Sequence, residues 1–588
     1  MVKLTIDNKP VEVAEGTTIL KAARQAGINI PTLCYFELAG MKFENKPGGC
    51  RVCVVEVEGR RNLAPACATD VMEGMVVHTN SPRVINARRT VVELILSDHP
   101  NDCLQCEKSG DCELQSLAIK LGIREIPFKG EQSTYKTDTT LSVYRDMNKC
   151  VMCRRCETMC NKIQSAGALS GVNRGFQAVV SPAFEQPLGE SSCINCGQCV
   201  QVCPVGALTL VDNIGDVMKA LADPKKTVVV QTAPAVRVAL GEEFGMEPGT
   251  IVTGKMAAAL RRMGFDYVFD TDWSADLTIM EEGTELLQRV GKVLNGEKAV
   301  LPQFTSCCPA WIAFAEKNFP DLLDNLSTAK SPQQMFGAAC KNYFANKIGV
   351  KREDMVVVSV MPCLAKKSEV ARDEFKVNGD PDVNFSISTR ELAHMIKQFN
   401  IDINDLPEEN FDSPLGESTG AAVIFGATGG VMEAALRTAY EVQTKKTLPR
   451  IDFEEVRGLD GVKTATIDFE GLPVKVAVCY GLANARAMME EVRGGNPRGF
   501  HFIEVMACPG GCIGGAGQPY HHGNSDIIRK RMEATYREDA GKPIRKSHEN
   551  PDIIAIYKEY YGEPCSHLSH EQLHTHYFDR TKKIEVEK

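Results

Sequence analysis

Two runs of four cysteines constrain this chain more than anything else in it. Cys150, Cys153, Cys156 and Cys160 follow the spacing C-x2-C-x2-C-x3-C, and Cys193, Cys196, Cys199 and Cys203 repeat it, with Pro204 behind the second run. Such short gaps let three thiolates of one loop grip one iron–sulfur cube, while the fourth, expected to start a helix, reaches a second cube. Fifteen of the 23 cysteines lie between Cys34 and Cys203. Disulfide staples are the rival explanation, but they suit small exported scaffolds short of core. This chain has 588 residues, 43% of them hydrophobic, enough for roughly four packed domains. Met1 to Val13 alternates polar and apolar residues and does not join a basic segment to an apolar run, so it does not read as an export signal. Metal ligation in a reducing, cytoplasmic setting is the expectation. A net charge of -9 offers no basic surface for nucleic acid. No stretch reaches the roughly 18 apolar residues of a membrane-spanning helix.

By analogy with two-cluster bacterial ferredoxins, Cys203 completes the first cube and Cys160 the second; Asn161 stands where the first run would carry a proline. Upstream, Val2, Leu4 and Ile6 alternate, Asp7-Asn8 supplies a turn, Val11 and Val13 resume, and Thr17 or Thr18 caps a helix ending at Gly27. With the strand-like segments Val52 to Val57 and Met75 to Thr79, this frames Cys34, Cys50, Cys53 and Cys67. The arrangement resembles the plant-type 2Fe-2S ferredoxin fold, with an enlarged loop between Cys34 and Cys50. Next come His99, Cys103, Cys106 and Cys112, spaced H-x3-C-x2-C-x5-C, between a helical Ser81 to Ser97 and a second short helix. One imidazole and three thiolates also suit zinc, as do the four upstream thiols. The same spacing after the same first domain resembles the His-ligated 4Fe-4S segment of respiratory complex I and some hydrogenases. Four clusters in series make an electron wire.

After Ala220 the pattern changes to apolar strand-like runs, Thr227 to Gln231 and Met355 to Val360, alternating with helical segments such as Thr253 to Met263. That predicts an α/β domain of buried, largely parallel strands with its chemistry on the loops. The remaining thiols stand out in TSCCPAW (Cys307, Cys308), MPCLAKKSE (Cys363) and EVMACPGGCIGGAGQP (Cys508, Cys512). Together these motifs resemble the iron-only (FeFe) hydrogenases. The resemblance implies an H-cluster, a 4Fe-4S cube joined to a diiron unit with carbon monoxide, cyanide and a dithiolate. It implies Cys308, Cys363, Cys508 and Cys512 as the cube ligands, with Cys512 as the bridge. Cys307, Glu282, Ser327 and Glu285 match a proton relay, and Lys366 matches the donor to an iron-bound cyanide. Pro234, Gln333, Met361 and Met506 match the walls of the diiron pocket.

Without the resemblance, Glu282 and Glu285 would be a solvated pair on one helix face, and the two methionines ordinary core. Glycines 510, 511, 514 and 515 are expected to let backbone approach a bulky cofactor; with no GK(S/T), a phosphate loop is disfavoured. Gly426 to Gly430 reads as a tight helix start. Cys340 and Cys479 read as packing thiols. His567, His570 and His574 share a helical face that could hold a metal, against the stronger expectation that this tail packs across the catalytic domain.

The expected fold is thus multidomain α/β and α+β. Residues 1–80 form a β-grasp 2Fe-2S ferredoxin domain, 81–120 the His/Cys cluster segment, and 138–212 a two-4Fe-4S ferredoxin domain. Residues 222–520 form the α/β H-cluster domain and 521–588 a segment like a hydrogenase small subunit. The cofactors implied are the H-cluster, one 2Fe-2S and three accessory 4Fe-4S clusters. The partners implied are hydrogen and protons, maturation proteins, and either ferredoxin or a flavin-carrying NAD(P)-linked subunit of an electron-bifurcating complex. A hydrogen sensor or an iron–sulfur assembly protein is the rival of another class, and a complex I electron-transfer subunit would match only the first 210 residues or so.

Overall fold

The computed structural model describes residues 1–581; residues 582–588, the end of the expected C-terminal segment, lie outside the described residues. The chain divides into two compact units. One comprises residues 1–162, 167–191 and 199–209; the other comprises 163–166, 192–198 and residues from 210 onward.

In the first unit Val2–Ile6 and Lys9–Val13 pair antiparallel, Val2 opposite Val13. Leu4, Ile6, Val11 and Val13 are buried, the inward half of the pleat that the alternation encodes. Asp7 and Asn8 both take positive φ at the turn, which a two-residue hairpin of this hand demands. Val2–Ile6 lies between Lys9–Val13 and Val76–His78 in a five-stranded sheet that continues through Val54–Val57 to Ala64–Pro65. Thr18 caps Ile19–Gln25 by accepting from the Lys21 amide at 3.4 Å. Gly27, at φ 71°, closes that helix. Ser81 caps the helix Pro82–Ser97, and Glu113–Lys120 follows Cys112.

One local expectation is corrected in the ferredoxin-like runs. Cys156 sits inside the helix Arg155–Thr158, which widens into the turn Met159–Ile163 that carries Cys160. Gln198–Gln201 contains Cys199 and ends before Cys203. The fourth thiol therefore closes a helical turn and does not start one, because the three-residue gap before it spans about one turn.

The second unit holds two four-stranded sheets. The first runs Tyr267–Asp270, Thr227–Thr232, Met355–Met361, Phe385–Ser388, parallel throughout. Its valine-rich strands are buried along their length, as a sheet covered on both faces requires. The second runs Gln303–Phe304, Phe502–Met506, Leu472–Tyr480, Val462–Phe469. Its pairs are parallel except the last, an antiparallel hairpin. Asp270 ends one strand of the first sheet and caps the 24-residue helix Thr271–Leu294 by accepting from the Asp272 amide.

Behind the first sheet, buried Arg237 pairs with Asp270 at 2.6 Å, Asp272 at 3.2 Å and Glu538 at 3.4 Å. Removing the cation strands two buried carboxylates. Arg237→Met should therefore lower unfolding stability by about 3–5 kcal/mol, measured by denaturant unfolding. A change below about 1 kcal/mol would mean that these carboxylates are neutral in the native chain.

Candidate active site

Each loop carrying a downstream thiol leaves the C-terminal end of a parallel strand. Cys307 and Cys308 follow Gln303–Phe304, Cys363 follows Met355–Met361, and Cys508 and Cys512 follow Phe502–Met506. That is where open α/β sheets leave a crevice. Cys308 is the N-cap of the helix Pro309–Asn318, whose first residue is the proline suited to that position.

These thiols are free of disulfides, and Cys307, Cys363 and Cys512 from the three loops line one cavity. Burial and then Cys308 push the Cys363 thiol up to about 12. Burial, then Cys363, Cys308 and Cys512, carry Cys508 well above the usual thiol range. Cys512 rises through burial, Cys363 and Cys308. Four thiols that oppose one another's ionisation can all become ligands only around positive charge, which a metal cluster supplies. The donor set fits an iron–sulfur cube.

The cavity beside them is lined among others by Pro234, Gln333, Met361, Met506, Cys307 and Cys512. Lys366 also reaches its wall; its Nζ donates to the Cys307 carbonyl at 3.1 Å and to Glu369 Oε2 at 2.9 Å. Glu369 Oε2 accepts as well from Gln333 Nε2 at 2.7 Å and Ser331 Oγ at 2.9 Å. Sequence reading missed Glu369, although it stands in MPCLAKKSE three residues after Lys366, the spacing that pairs side chains on a helix. Apolar walls with one buried ammonium fit a compact, electron-rich group.

The glycines of the last loop work differently from expectation. A Cβ on Gly511, at φ 94°, would meet the Thr428 amide nitrogen at 2.6 Å, and one on Gly514 would meet the Pro509 carbonyl at 2.0 Å. Their missing side chains let backbone pack on backbone, and this shapes the loop without facing the cavity. Gly429, at φ 91°, begins the helix Gly430–Thr444 as expected.

Glu282 and Glu285 lie on Thr271–Leu294 and are buried, so neither is a solvated surface glutamate. Neither carboxylate oxygen of Glu282 has a hydrogen-bond partner. Burial, then Glu285, pushes it up to about 8, with Ser327 and the Ser306 backbone offsetting part. Glu282 in turn raises the Cys307 thiol, after burial. Glu285 Oε2 accepts from Ser327 Oγ at 2.7 Å, and Glu285 Oε1 pairs with Arg289 at 2.7 Å.

In the first unit Cys34, Cys50, Cys53 and Cys67 perturb one another's ionisation, so these four thiols stand together. Cys150, Cys153 and Cys203 each raise the buried Cys156 thiol, so these four stand together. His99 Nε2 is buried without a partner, and Cys106 raises Cys112 after burial. Among the remaining thiols of the paired runs, Cys160 and Cys199 belong to the first unit, Cys193 and Cys196 to the second. Cys196 lies near enough to Cys508 to raise it. Cys340 and Cys479 are fully buried.

Known proteins match throughout. Residues 226–516 match the iron only hydrogenase large subunit, C-terminal domain, and 525–580 the iron hydrogenase small subunit. Residues 1–82 match a 2Fe-2S iron-sulfur cluster binding domain, 88–127 the NADH-ubiquinone oxidoreductase-G iron-sulfur binding region, and 188–209 a 4Fe-4S binding domain. The chain is 62% identical over 584 residues to the NADP-reducing hydrogenase subunit HndD of Solidesulfovibrio fructosivorans, covering 99% of this chain and 100% of that protein. It is 40% identical to iron hydrogenase 1 of Clostridium pasteurianum, covering 98% and 100%. A solved apo structure of the [FeFe]-hydrogenase HydA1 from Chlamydomonas reinhardtii superposes with a TM-score of 0.56 at 43% identity, covering 63% of this chain and 100% of that one.

The unpartnered Glu282 makes stability depend on pH. Its folded pKa is raised, so its contribution is intact below about 4.5 and declines as pH rises toward about 8. Glu282→Gln should flatten that decline by about 1.4 kcal/mol per pH unit, measured as the difference between variant and wild-type denaturant midpoints from pH 5 to 8. A pH-independent difference would show that Glu282 titrates alike in both states.

Proposed function

The chain belongs to the iron-only hydrogenase family, and from that premise we propose which of its residues do what. It is an oxidoreductase that interconverts hydrogen with protons and electrons, with iron–sulfur domains in addition to its H-cluster domain. The observation that carries the residue assignment is the convergence of three loops' thiols beside a cavity that adjoins a buried carboxyl.

Cys308, Cys363, Cys508 and Cys512 hold the cube in this reading. Cys512 belongs to the thiol group and lines the cavity, as a bridging sulfur must; Cys363 does so too, and the resemblance of EVMACPGGCIGGAGQP to the family's motif is what favours Cys512. When bound, the diiron group supplies heterolytic cleavage of hydrogen. Cys307 Sγ takes up the proton. The Glu282 carboxyl, pushed up to about 8, holds a proton at neutral pH, suited to relay work. Ser327 passes it to Glu285 Oε2 across 2.7 Å. Lys366, held by Glu369, presents its ammonium to the anionic ligands of the group, while Pro234, Gln333, Met361 and Met506 exclude water.

Electrons reach the active site from the cluster to which Cys196 belongs. The segment around it supports this: Gln198 Nε2 donates to the Gly514 carbonyl at 3.0 Å, and Lys317 Nζ to the Cys193 carbonyl at 2.6 Å. Upstream, the ligand sets are Cys34, Cys50, Cys53 and Cys67 for 2Fe-2S; His99, Cys103, Cys106 and Cys112; Cys150, Cys153, Cys156 and Cys203; and Cys193, Cys196, Cys199 and Cys160. The identity to a relative named NADP-reducing supports an NAD(P)-linked partner. This chain's partner is then a flavin-carrying subunit, with ferredoxin as the second electron carrier of a bifurcating complex. Maturation proteins deliver the diiron unit.

Infrared bands of carbon monoxide and cyanide should appear in matured protein. Their absence with a complete maturation system would remove this reading. Cys307→Ala should keep those bands and lose about 10²–10⁴-fold in turnover; wild-type turnover would eliminate its relay role. Cys512→Ala should lose the bands, and a fully occupied diiron site would contradict the bridge. Native co-purification with a flavin assay identifies the partner: a flavin-free monomer would leave ferredoxin as the sole carrier.

A further inference from the structure

The C-terminal tail carries a cluster that the hydrogenase reading does not use. One ligand atom each from Cys565, His570 and His574 lies within 4.8 Å of the others. His570 and His574 stand four residues apart, on and just beyond the helix His567–Leu573, with ring centroids 4.1 Å apart. Cys565 holds a left-handed backbone at φ 57°, a conformation a non-glycine residue keeps only where its surroundings impose it. His567, which sequence spacing grouped with these imidazoles, is outside the cluster, and Cys565 takes its place.

Both ring nitrogens of His574 face groups that orient the imidazole, Nδ1 lying 2.8 Å from Thr328 Oγ1 and Nε2 lying 3.0 Å from Glu281 Oε2. The Cys565 thiol and the second imidazole, His570, stand beside it, a soft donor set that suits a metal ion.

We infer that Cys565, His570 and His574 bind a zinc ion, with Glu281, whose Oε2 lies 3.0 Å from His574 Nε2 but outside the three-atom cluster, closing in as the fourth ligand. One sulfur, two imidazoles and a carboxylate suit Zn²⁺ in tetrahedral geometry. Two light ligand atoms on one such ion lie about 3.3 Å apart, close to the separation of His574 Nε2 and Glu281 Oε2. The outer contacts are in place: Nδ1 is held by Thr328, and Glu281 Oε1 accepts from Tyr557 Oη at 2.5 Å. An open cavity lined by His570, His574 and Thr328 supplies a path from solvent.

The ion would clamp the tail to the helix Thr271–Leu294, next to the seam between the tail and the loop that carries Ser327. That seam already holds the Lys330 amide to the Leu573 carbonyl at 2.8 Å and the Thr575 amide to the Thr328 carbonyl at 2.7 Å. A zinc ion adds a cross-link through ligands on the tail and on Thr271–Leu294.

The test is Zn²⁺ titration of the iron-loaded full chain against a competing chelator. Zinc edge absorption should show one sulfur at about 2.3 Å and two nitrogens at about 2.0 Å. His570→Ala removes an exposed side chain, and Cys565→Ser removes the thiol. Each should weaken zinc binding at least tenfold with iron content unchanged, while His567→Ala binds like wild type. No stoichiometric uptake by wild type would overturn the site, as would uptake that His570→Ala leaves unchanged. If Cys565→Ser loses iron, the exposed His570→Ala decides alone.

Discussion

Sulfur ligands brought together without a cation oppose one another's ionisation, and the second unit is organised around that conflict. Cys363, Cys508 and Cys512 each raise or are raised by their neighbours inside a desolvated crevice. A sheet of ordinary polarity would scatter such groups. Here parallel strands of both sheets end toward one place, so loops separated by up to about 200 residues deliver thiols to one centre. Fixing those strand ends requires cores on both faces of the sheets, which explains the unbroken valine runs. It also explains why loop glycines are spent on backbone packing: Gly511 and Gly514 draw their loop against Thr428 and Pro509, setting where Cys512 sits.

The helix Thr271–Leu294 shows how environment assigns roles to identical side chains. Glu281 accepts from Tyr557 and the Cys565 amide, Glu285 is held by Ser327 and Arg289, and Glu282 between them in sequence has no partner. An unpartnered carboxyl in a low-dielectric interior keeps its proton to higher pH, as Glu282 does. One helix thus presents two carboxylates held by hydrogen bonds and one without a partner within five residues.

Much of this was legible in sequence wherever the chemistry fixes spacing. The hairpin over Val2–Val13, the Thr18 cap and the parallel valine strands follow from periodicity and capping, which are local. The upstream thiol sets follow from ligand spacing, whereas Cys308, Cys363, Cys508 and Cys512 were grouped only through the family resemblance. Pro234, Gln333, Met361 and Met506 could be placed at one pocket only through the family resemblance, since their spacing carries no ligand pattern. Glu369 escaped notice because its role is to hold Lys366, Gln333 and Ser331, and a supporting carboxylate on a helix looks like a surface charge until its burial is known. Cys565 went unassigned for a related reason: its backbone turns back so that the thiol meets His570 and His574, and a left-handed φ cannot be read from a cysteine. The loop glycines were misread in direction because sequence shows that space is needed but not what fills it.

In the proposed reading protons and electrons reach one iron centre by routes carried on different elements of this chain. The electron side is built on segment 192–198, whose Gly197 packs so tightly against Leu364 that a Cβ would come within 2.7 Å. It touches the Cys512 loop through Gln198, and the helix that follows Cys308 through Lys317. In the proposed reading the proton side runs from the Cys307 loop along Thr271–Leu294 to Glu285, which Arg289 holds at 2.7 Å. Tight apolar packing suits electron transfer, which needs short distance and no mobile water. The carboxyl chain needs the opposite, groups able to exchange protons while shielded from bulk solvent. Placing them on different loops of one crevice lets each be tuned by burial alone, and it explains why a tail segment as remote in sequence as Cys565–Thr575 bears on the proton side.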